Sequence, residues 1–137
     1  MNQLPVIRIC LTPALYPIYR DDNSIVVIVD IFRATSAICT ALHHGMTSVI
    51  PVAAIEEAQK YPGNGYIVAA ERGGEVVEGF AYGNSPLSYR NNPEIIGKKL
   101  VLTTTNGTQA IAAAGNAAAL CVGAFSNITP LSSWLIS

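Results

Sequence analysis

The sequence predicts an α/β fold: a single layered α/β/α domain over residues 1–137, with a largely parallel, mixed central sheet. Short apolar segments rich in β-branched residues alternate with segments of helical pattern, as in parallel sheets covered by helices. Hydrophobic residues make up 50% of the chain and charged residues 12%, a composition typical of a packed domain rather than a disordered one. Polar clusters follow three of the predicted strands, where open parallel sheets bind their ligands.

The first half of the chain alternates regularly between strands and helices. The segment 24–29 consists almost entirely of Ile and Val, which is typical of a strand buried on both faces. The helix that follows carries apolar residues along one side and stops at Gly45. Residues 13–23 are predicted as a polar loop, and 62–65 as a turn. Strands are predicted at 5–10, 24–29, 47–52 and 66–70, and helices at 34–44 and 54–61.

The second half contains a long irregular segment at 71–92, rich in glycine. A loop of this length inside a compact domain is more often functional than not. A strand at 99–102, an alanine-rich helix at 106–114 and a strand at 117–122 are predicted to follow. Beyond them, either Pro130 opens a short helix at its first turn, or the last strand lacks a covering helix.

The charge pattern argues against two classes of partner. The net charge is −1, and lysine and arginine are scattered, so neither nucleic acid nor an anionic membrane is expected to bind by bulk attraction. No apolar run reaches the ~18 residues that a membrane helix needs, and no signal-peptide pattern opens the chain. We therefore expect a cytoplasmic protein.

The cysteines and the low charge support two further expectations. Cys10, Cys39 and Cys121 have no metal-site or redox spacing and lie among apolar residues, so we expect small buried side chains in a reducing compartment. The low charge leaves much of the surface uncharged. We therefore expect part of it to be covered by another domain or by another copy of the chain, as in a homo-oligomer.

The first polar cluster follows the predicted strand 24–29. A carboxylate such as Asp30 at the end of a buried strand is costly without a partner, and a metal ion or Arg33 would supply one. Thr35 and Ser36 stand at the start of a helix, where free N–H groups, the helix dipole and the hydroxyls favour an anion. The alternative is a capped helix with an Asp–Arg ion pair and no ligand.

The second cluster lies in the irregular segment. An acid offers oxygen to a hard cation, an arginine can bind phosphate, sulfonate or carboxylate in a bidentate manner, and adjacent glycines let the backbone approach a ligand. The alternative is a solvated turn with a surface ion pair. The candidate residues of this cluster are Glu71, Arg72, Gly73, Gly74, Asn84 and Ser85.

The third cluster lies at 103–108, between a predicted strand and a helix, and contains four threonines and an asparagine. A helix start needs one capping residue, so the surplus donors favour the binding of an oxyanion. Thr104, Thr105 and Asn106 are the candidates, and a purely structural helix start is the alternative. His43 and His44 near the end of a helix are expected to interact with the helix terminus rather than with a metal.

The three clusters together indicate phosphoryl chemistry. Asp30 and Glu71 form a potential magnesium site, while Arg33 and Arg72 supply fixed positive charge. Phosphoryl transfer needs mainly positioning and charge neutralisation from a protein. The glycine-rich phosphate fingerprints of nucleotide-binding domains are absent from the sequence. Their absence argues against a nucleotide-binding α/β domain.

Four segments resemble, in the same order, the motif series of the 2-phosphosulfolactate phosphatase family. They are VDIFRATS at 29–36, ERGG at 71–74, GFAYGNSP at 79–86 and LTTTNGT at 102–108. The segment 121–127 is similar to the one that follows these motifs in the family. Together the matching segments cover about residues 5–129. It implies an α/β fold with a mixed sheet, a Mg²⁺ cofactor, and hydrolysis of 2-phospho-3-sulfolactate to 3-sulfolactate, a step of coenzyme M biosynthesis.

The resemblance also implies roles for the candidate residues. Asp30 and Glu71 would hold magnesium or activate water, leaving open attack by metal-bound water or a covalent aspartyl intermediate at Asp30. The residues that would hold the anionic groups of the substrate are Arg33, Arg72, Asn84, Thr104, Thr105 and Asn106.

Family members are expected to continue for roughly as much chain again, so this chain is expected to be a truncated piece, the product of a gene that ends early, or a stand-alone half. The alternative function is a non-catalytic anion-binding α/β domain, or an inactive half that needs the missing C-terminal portion. A related 2-phospho-2-hydroxy acid is an alternative substrate.

Overall fold

The computed structural model describes residues 6–61 and 63–137. The strands of this part are β1 (Ile25–Val29), β2 (Ser48–Pro51), β3 (Tyr66–Arg72), β4 (Glu75–Val76), β5 (Lys99–Thr103) and β6 (Ala119–Gly123). Its α-helices are α1 (Tyr16–Tyr19), α2 (Ala34–His43), α3 (Ile55–Ala58), α4 (Gly107–Ala113) and α5 (Ile128–Leu135). Short 3₁₀ helices lie at Pro13–Leu15, Pro86–Ser88, Pro93–Ile95 and Phe125–Asn127.

The strands form two hydrogen-bonded sheets in which most pairings are parallel. β1 and β6 pair in parallel with each other. The second sheet has the order β2-β5-β3-β4, in which β5 runs parallel to both β2 and β3, and β4 runs antiparallel to β3. The predicted α/β class with largely parallel, mixed pairing is confirmed. The strands divide between two sheets, whereas the sequence predicts one central sheet.

Helix α2 forms where it is predicted and packs on the main core. Ala34, Ala37, Ile38 and Ala41 are buried, at the spacing of one helix face. The helix ends just before Gly45, as predicted. The core around it includes the buried side chains of Met46, Ile67, Ala69, Tyr89, Ile95, Leu100 and Leu102. Because these come largely from β3, β5 and the loop between them, packing holds α2 beside the second sheet.

Strand β1 is less buried than predicted. Ile25 and Val29 are 47% and 63% exposed, and Ile28 is the buried member of the strand. Within the described residues β6 is its one partner strand, so its other edge has no neighbour. The prediction of a strand buried on both faces is therefore wrong. A groove of about 590 Å³ runs along this strand, between α4 and residues 6–21.

The N-terminal segment also differs from its prediction. Pro5 lies outside the described residues, and residues 6–10 form no strand, so the strand predicted at 5–10 is wrong over 6–10. Val6, Ile7 and Ile9 are exposed, and residues 6–10 form no strand pairing. The loop predicted at 13–23 contains the 3₁₀ helix Pro13–Leu15 and the single turn α1.

Strand β3 is longer than predicted, which changes the geometry of the second polar cluster. It continues through Arg72 and turns back into β4, so that Arg72 pairs with Glu75. Gly73 and Gly74 form the turn with φ of 60° and 88°, a conformation that tight hairpins need and glycine adopts readily. The prediction that the irregular segment begins at Glu71 is wrong, because hairpin pairing extends the strand.

The remaining elements overlap their predicted ranges, including β2, α3, β5, α4 and β6. Helix α5 forms with Pro130 in its first turn, so β6 is followed by a short helix. Cys10, Cys39 and Cys121 are free thiols of intermediate exposure, and the prediction that they are buried is wrong. In the part of the chain that the structure describes, no helix has the length and apolar character needed to cross a membrane.

Candidate active site

A cleft of about 200 Å³ lies where the loops after β1, β3 and β5 meet. The three polar clusters predicted from the sequence each contribute to it, although they come from two different sheets. Its lining residues are Asp30, Phe32, Arg33, Glu71, Gly73, Gly74, Asn84, Thr105 and Asn106. Tertiary structure therefore brings together eight of the predicted site residues and adds Phe32.

The Glu71 carboxylate joins these loops. The residue is 5% exposed. Its Oε1 accepts hydrogen bonds from the Gly74 amide at 2.6 Å and the Thr105 hydroxyl at 3.2 Å. Its Oε2 accepts from the Thr105 amide at 3.1 Å and from Asn84 Nδ2 at 3.2 Å. Burial raises the pKa of Glu71, but the hydrogen bonds from Gly74 and Thr105 and the charge of Arg33 outweigh it and hold the pKa below its ordinary value.

Two hydrogen bonds to the backbone just before Asn84 hold its segment beside Glu71. The fully buried Tyr89 donates its hydroxyl to the Gly83 carbonyl, and the Tyr82 carbonyl accepts an amide hydrogen from β3 at 3.0 Å. The side-chain amide of Asn84 donates to Glu71, while its buried Oδ1 has no hydrogen-bond partner among the described residues. A flipped amide would set two acceptors against each other, because a carboxylate only accepts.

Asp30 lies between the starts of α2 and α4. Its carbonyl accepts from the Thr35 amide at 2.9 Å, and its amide donates to the Thr35 hydroxyl at 3.1 Å. A Cβ placed on Gly107 would lie 3.2 Å from Asp30 Oδ2, so α4 begins very close to the carboxylate. Burial raises the pKa of the Asp30 carboxyl; a hydrogen bond from the Ala34 amide lowers it, the charge of Glu71 raises it again, and the net shift is upward.

Arg33 reaches across the cleft, and its guanidinium donates to the Gly74 carbonyl. The Asp30–Arg33 ion pair weighed as a structural alternative is not formed. The salt bridge present among the described residues joins Arg20 and Asp22. Because a guanidinium carries five N–H donors, Arg33 retains donors that can bind an anion in the cleft.

Four predicted site residues are engaged in local structure and do not line the cleft. Thr35 accepts from the backbone before α2, and the Ser36 hydroxyl donates to the Ile31 carbonyl at 2.8 Å. The Thr104 hydroxyl accepts from the Thr108 amide at 3.2 Å. Ser85 precedes the 3₁₀ helix Pro86–Ser88. The side chains of Thr35, Ser36 and Thr104 satisfy backbone groups at helix starts, which is the ordinary use of such side chains.

Arg72 also lies outside the cleft. Its guanidinium donates to the Glu71 carbonyl at 2.6 Å and to the Thr103 hydroxyl at 2.9 Å. Successive residues of a strand face opposite sides, so the extension of β3 separates Arg72 from the carboxylate of its neighbour. His43 occupies the last turn of α2, as predicted, and neither His43 nor His44 lines the cleft.

Phe32 is the lining residue that the sequence pattern does not single out. It is 90% exposed and lies beside Arg33. A phenylalanine next to a predicted buried strand is normally assigned to the core. The signal available in the sequence was the position of Phe32 in a polar loop between two candidate residues. The Phe32 side chain offers an apolar contact to a ligand.

The fold and the cleft define an α/β protein with a charged ligand site built from loops at the carboxyl ends of parallel strands. A family model described as 2-phosphosulpholactate phosphatase matches residues 10–137. The chain therefore belongs to the 2-phosphosulpholactate phosphatase family, and the resemblance seen in the four sequence motifs is confirmed.

Curated relatives carry the corresponding name. A probable 2-phosphosulfolactate phosphatase of Thermotoga petrophila is 53% identical over 85 residues, covering 62% of this chain and 37% of the relative. That of Clostridium tetani is 48% identical over 120 residues, 85% of this chain and 50% of the relative. That of Clostridium novyi is 45% identical over 108 residues, with shares of 77% and 46%. The matched region thus spans half or less of the length of these relatives.

Proposed function

We propose that this chain is part of a Mg²⁺-dependent phosphatase that hydrolyses the phosphate monoester of 2-phospho-3-sulfolactate to 3-sulfolactate and phosphate. A related 2-phospho-2-hydroxy acid is the alternative substrate. The family match and the names of the curated relatives support this reaction. Coenzyme M biosynthesis in the cytoplasm is the proposed setting, with a homo-oligomer as the proposed state.

The charge balance of the cleft is the observation that carries the proposal. Asp30 and Glu71 are its acidic side chains and Arg33 is its basic one, so the lining carries one net negative charge when all three are ionised. A phosphate monoester would be repelled by that charge. A bound divalent cation would make the net charge of the cleft positive. The cleft therefore suits a cation and an anionic substrate bound together better than the anionic substrate by itself.

Arg33 and Asn106 are the proposed contacts of the substrate anion. Arg33 is anchored by the Gly74 carbonyl, which orders the guanidinium before a ligand arrives. Asn106 is exposed, and its side chain does not cap α4, so the side-chain amide is free to donate. Phe32 would cover the non-reacting part of a small substrate and restrict the access of water.

Asp30 is the proposed carboxylate ligand of the cation. Both oxygens of Glu71 already accept two hydrogen bonds each, so we assign Glu71 to positioning the loops rather than to the metal. No group of three or more His, Cys, Asp or Glu gathers within 6–61 and 63–137. Mg²⁺ is commonly held by one or two carboxylates and the substrate phosphate. When bound, it would neutralise charge on the phosphoryl oxygens.

The length of the chain favours a second candidate function. Since it matches half or less of each relative described above, groups needed for turnover can lie in the unmatched part. In that case the isolated chain binds the anion without hydrolysing it, as a non-catalytic domain or a half that needs its C-terminal portion.

Phosphate release from 2-phospho-3-sulfolactate by the purified chain tests the proposal. The assay compares Mg²⁺ with EDTA, and Asp30→Asn with the matched control Asp22→Asn, whose carboxylate lies in an exposed ion pair. We expect Mg²⁺-dependent release that Asp30→Asn loses and Asp22→Asn keeps. Release that persists in Asp30→Asn or in EDTA would overturn the cation assignment. A folded chain that binds the phosphoester without releasing phosphate would establish the second candidate.

A further inference from the structure

We infer that Asn84 Oδ1 is a second protein ligand of the divalent cation, besides the Asp30 carboxylate in the same cleft, an inference that rests on the proposed use of such a cation. The sequence predicts Asn84 as a donor to the substrate anion. In the structure the side-chain nitrogen of Asn84 donates to Glu71, whereas its side-chain oxygen has no partner among the described residues, so the unpaired group is an acceptor and not a donor.

The state of Asn84 is unusual for a buried side chain. The residue is 5% exposed, and its Oδ1 is the buried side-chain oxygen or nitrogen that lacks a partner among the described residues. An unpaired buried acceptor destabilises the folded state, because it has lost its hydrogen bonds to water and gained none in the protein. The Tyr89–Gly83 contact and the pairing of Tyr82 with β3 hold the preceding backbone in place, and the hydrogen bond to Glu71 holds the side-chain amide itself.

Such a carbonyl oxygen needs a donor or a cation. It would repel a phosphate oxygen, so the substrate anion cannot be its direct partner. Side-chain amide oxygens and carboxylates are standard ligands of hard divalent cations. The negative charges of Asp30 and Glu71 in the same cleft favour a cation at this point over a neutral donor.

The cleft has room for this arrangement. Asp30 and Asn84 both line its 200 Å³, which corresponds to about six groups of the size of a water molecule. Two protein oxygens leave the remaining positions of a Mg²⁺ ion to water and to substrate oxygen, as the ion prefers. Glu71 then acts through Asn84, because its Oε2 holds the amide in the orientation that presents Oδ1.

Binding of Mn²⁺, a spectroscopic substitute for Mg²⁺, tests the inference without any phosphoester. The loss of the free Mn²⁺ signal in electron paramagnetic resonance gives the dissociation constant, and displacement by Mg²⁺ shows a shared site. The variants are Asn84→Ala, which removes the oxygen, and Asn84→Asp, which keeps an oxygen ligand but loses the donor to Glu71. Asn92→Ala is the matched control, because that side chain is fully bonded outside the cleft.

We expect Asn84→Ala to weaken Mn²⁺ binding by about tenfold or more, while Asn84→Asp and Asn92→Ala bind within about threefold of the parent chain. Thermal unfolding with and without Mn²⁺ gives the same order, because a bound cation stabilises the folded state. Equal losses in Asn84→Ala and Asn84→Asp would mean that the donor to Glu71 matters rather than the oxygen. Unchanged binding in Asn84→Ala would also overturn the inference. A parent chain that binds no Mn²⁺ would refute the proposed cation itself.

Discussion

The close approach of two helix starts at Gly107 provides a sharp test of the site's geometry. Gly107 is the first residue of α4, and a Cβ added there would lie 2.5 Å from the Cβ of Ala34 at the start of α2. Carbon atoms in contact prefer about 3.5–4.0 Å, so Gly107→Ala must push the two helix starts apart by about 1 Å. The same Cβ would lie 3.2 Å from both Asp30 Oδ2 and Thr104 Oγ1.

Overpacking of this kind costs about 1–3 kcal/mol of unfolding free energy. Ala34 is 1% exposed and short, so it cannot rotate away as a long side chain would. Urea denaturation is the assay, and a loss in this range lowers the midpoint by on the order of 1 M with an unchanged slope. The displacement of Asp30 should also weaken Mn²⁺ binding in the cleft.

Two companion variants separate the predicted clash from a general effect of alanine. Gly115→Ala is the matched control, since the nearest atom to its Cβ would be the Ala112 carbonyl oxygen at 3.4 Å, and we expect a change within about 0.5 kcal/mol. Adding Ala34→Gly to Gly107→Ala removes the clashing methyl group and should recover part of the lost stability. A midpoint for Gly107→Ala equal to that of the parent, or no recovery in the double variant, would refute the close approach.

Two further predictions concern the groups that position the cleft. Glu71→Gln turns an acceptor into a partial donor facing four hydrogen-bond donors. We therefore expect the free energy of unfolding in urea to fall by about 1–3 kcal/mol. This loss should exceed that of the control Glu75→Gln on exposed β4, and equal losses would contradict the anchoring role. Burial, and then the charge of Tyr82, raise the pKa of Tyr89, so the stabilisation by its neutral hydroxyl is complete below the unfolded pKa of about 10 and declines as the pH rises above it. Tyr89→Phe should lose about 1–3 kcal/mol at neutral pH by leaving the Gly83 carbonyl unpaired, and should show a smaller further decline between pH 9 and 11 than the parent; parallel pH profiles would contradict the prediction.

Much of the site was accessible from residue types and order. Strand ends followed by Asp30, Glu71 and Thr105 place oxygen and hydroxyl groups where parallel sheets bind ligands, and the structure brings these residues into one cleft. Residue types and order do not show which members of a cluster line the cleft and which satisfy backbone groups. Thr35 and Thr105 are the same residue type beside a helix start, yet one is buried against the backbone and the other contacts Glu71.

The errors have identifiable physical causes. The Ile/Val run predicts that β1 is buried on both faces, but among the described residues β1 belongs to a two-stranded sheet, and Ile25 and Val29 remain largely exposed. Arg72 is predicted to contact an anion because an arginine after a strand end can bind one in a bidentate manner, but β3 continues through Arg72 and its guanidinium is bonded to Thr103 outside the cleft. Pairing between β1 and β6, which are distant in sequence, decides the first point and is not contained in the local pattern. The second point depends on the two-residue turn at Gly73 and Gly74, whose hairpin is not among the predicted elements.

Residue order alone predicts the α/β class, the order of most strands and helices, the family, and the residue types found at the cleft. These follow from periodicity and from motifs that are local along the chain. The tertiary structure decided which groups remain free. Glu71 is saturated by donors from three loops, whereas Asn84 keeps one unpaired oxygen. Hydrogen-bond saturation depends on distances between segments far apart in sequence, so it can be read only after the chain has folded.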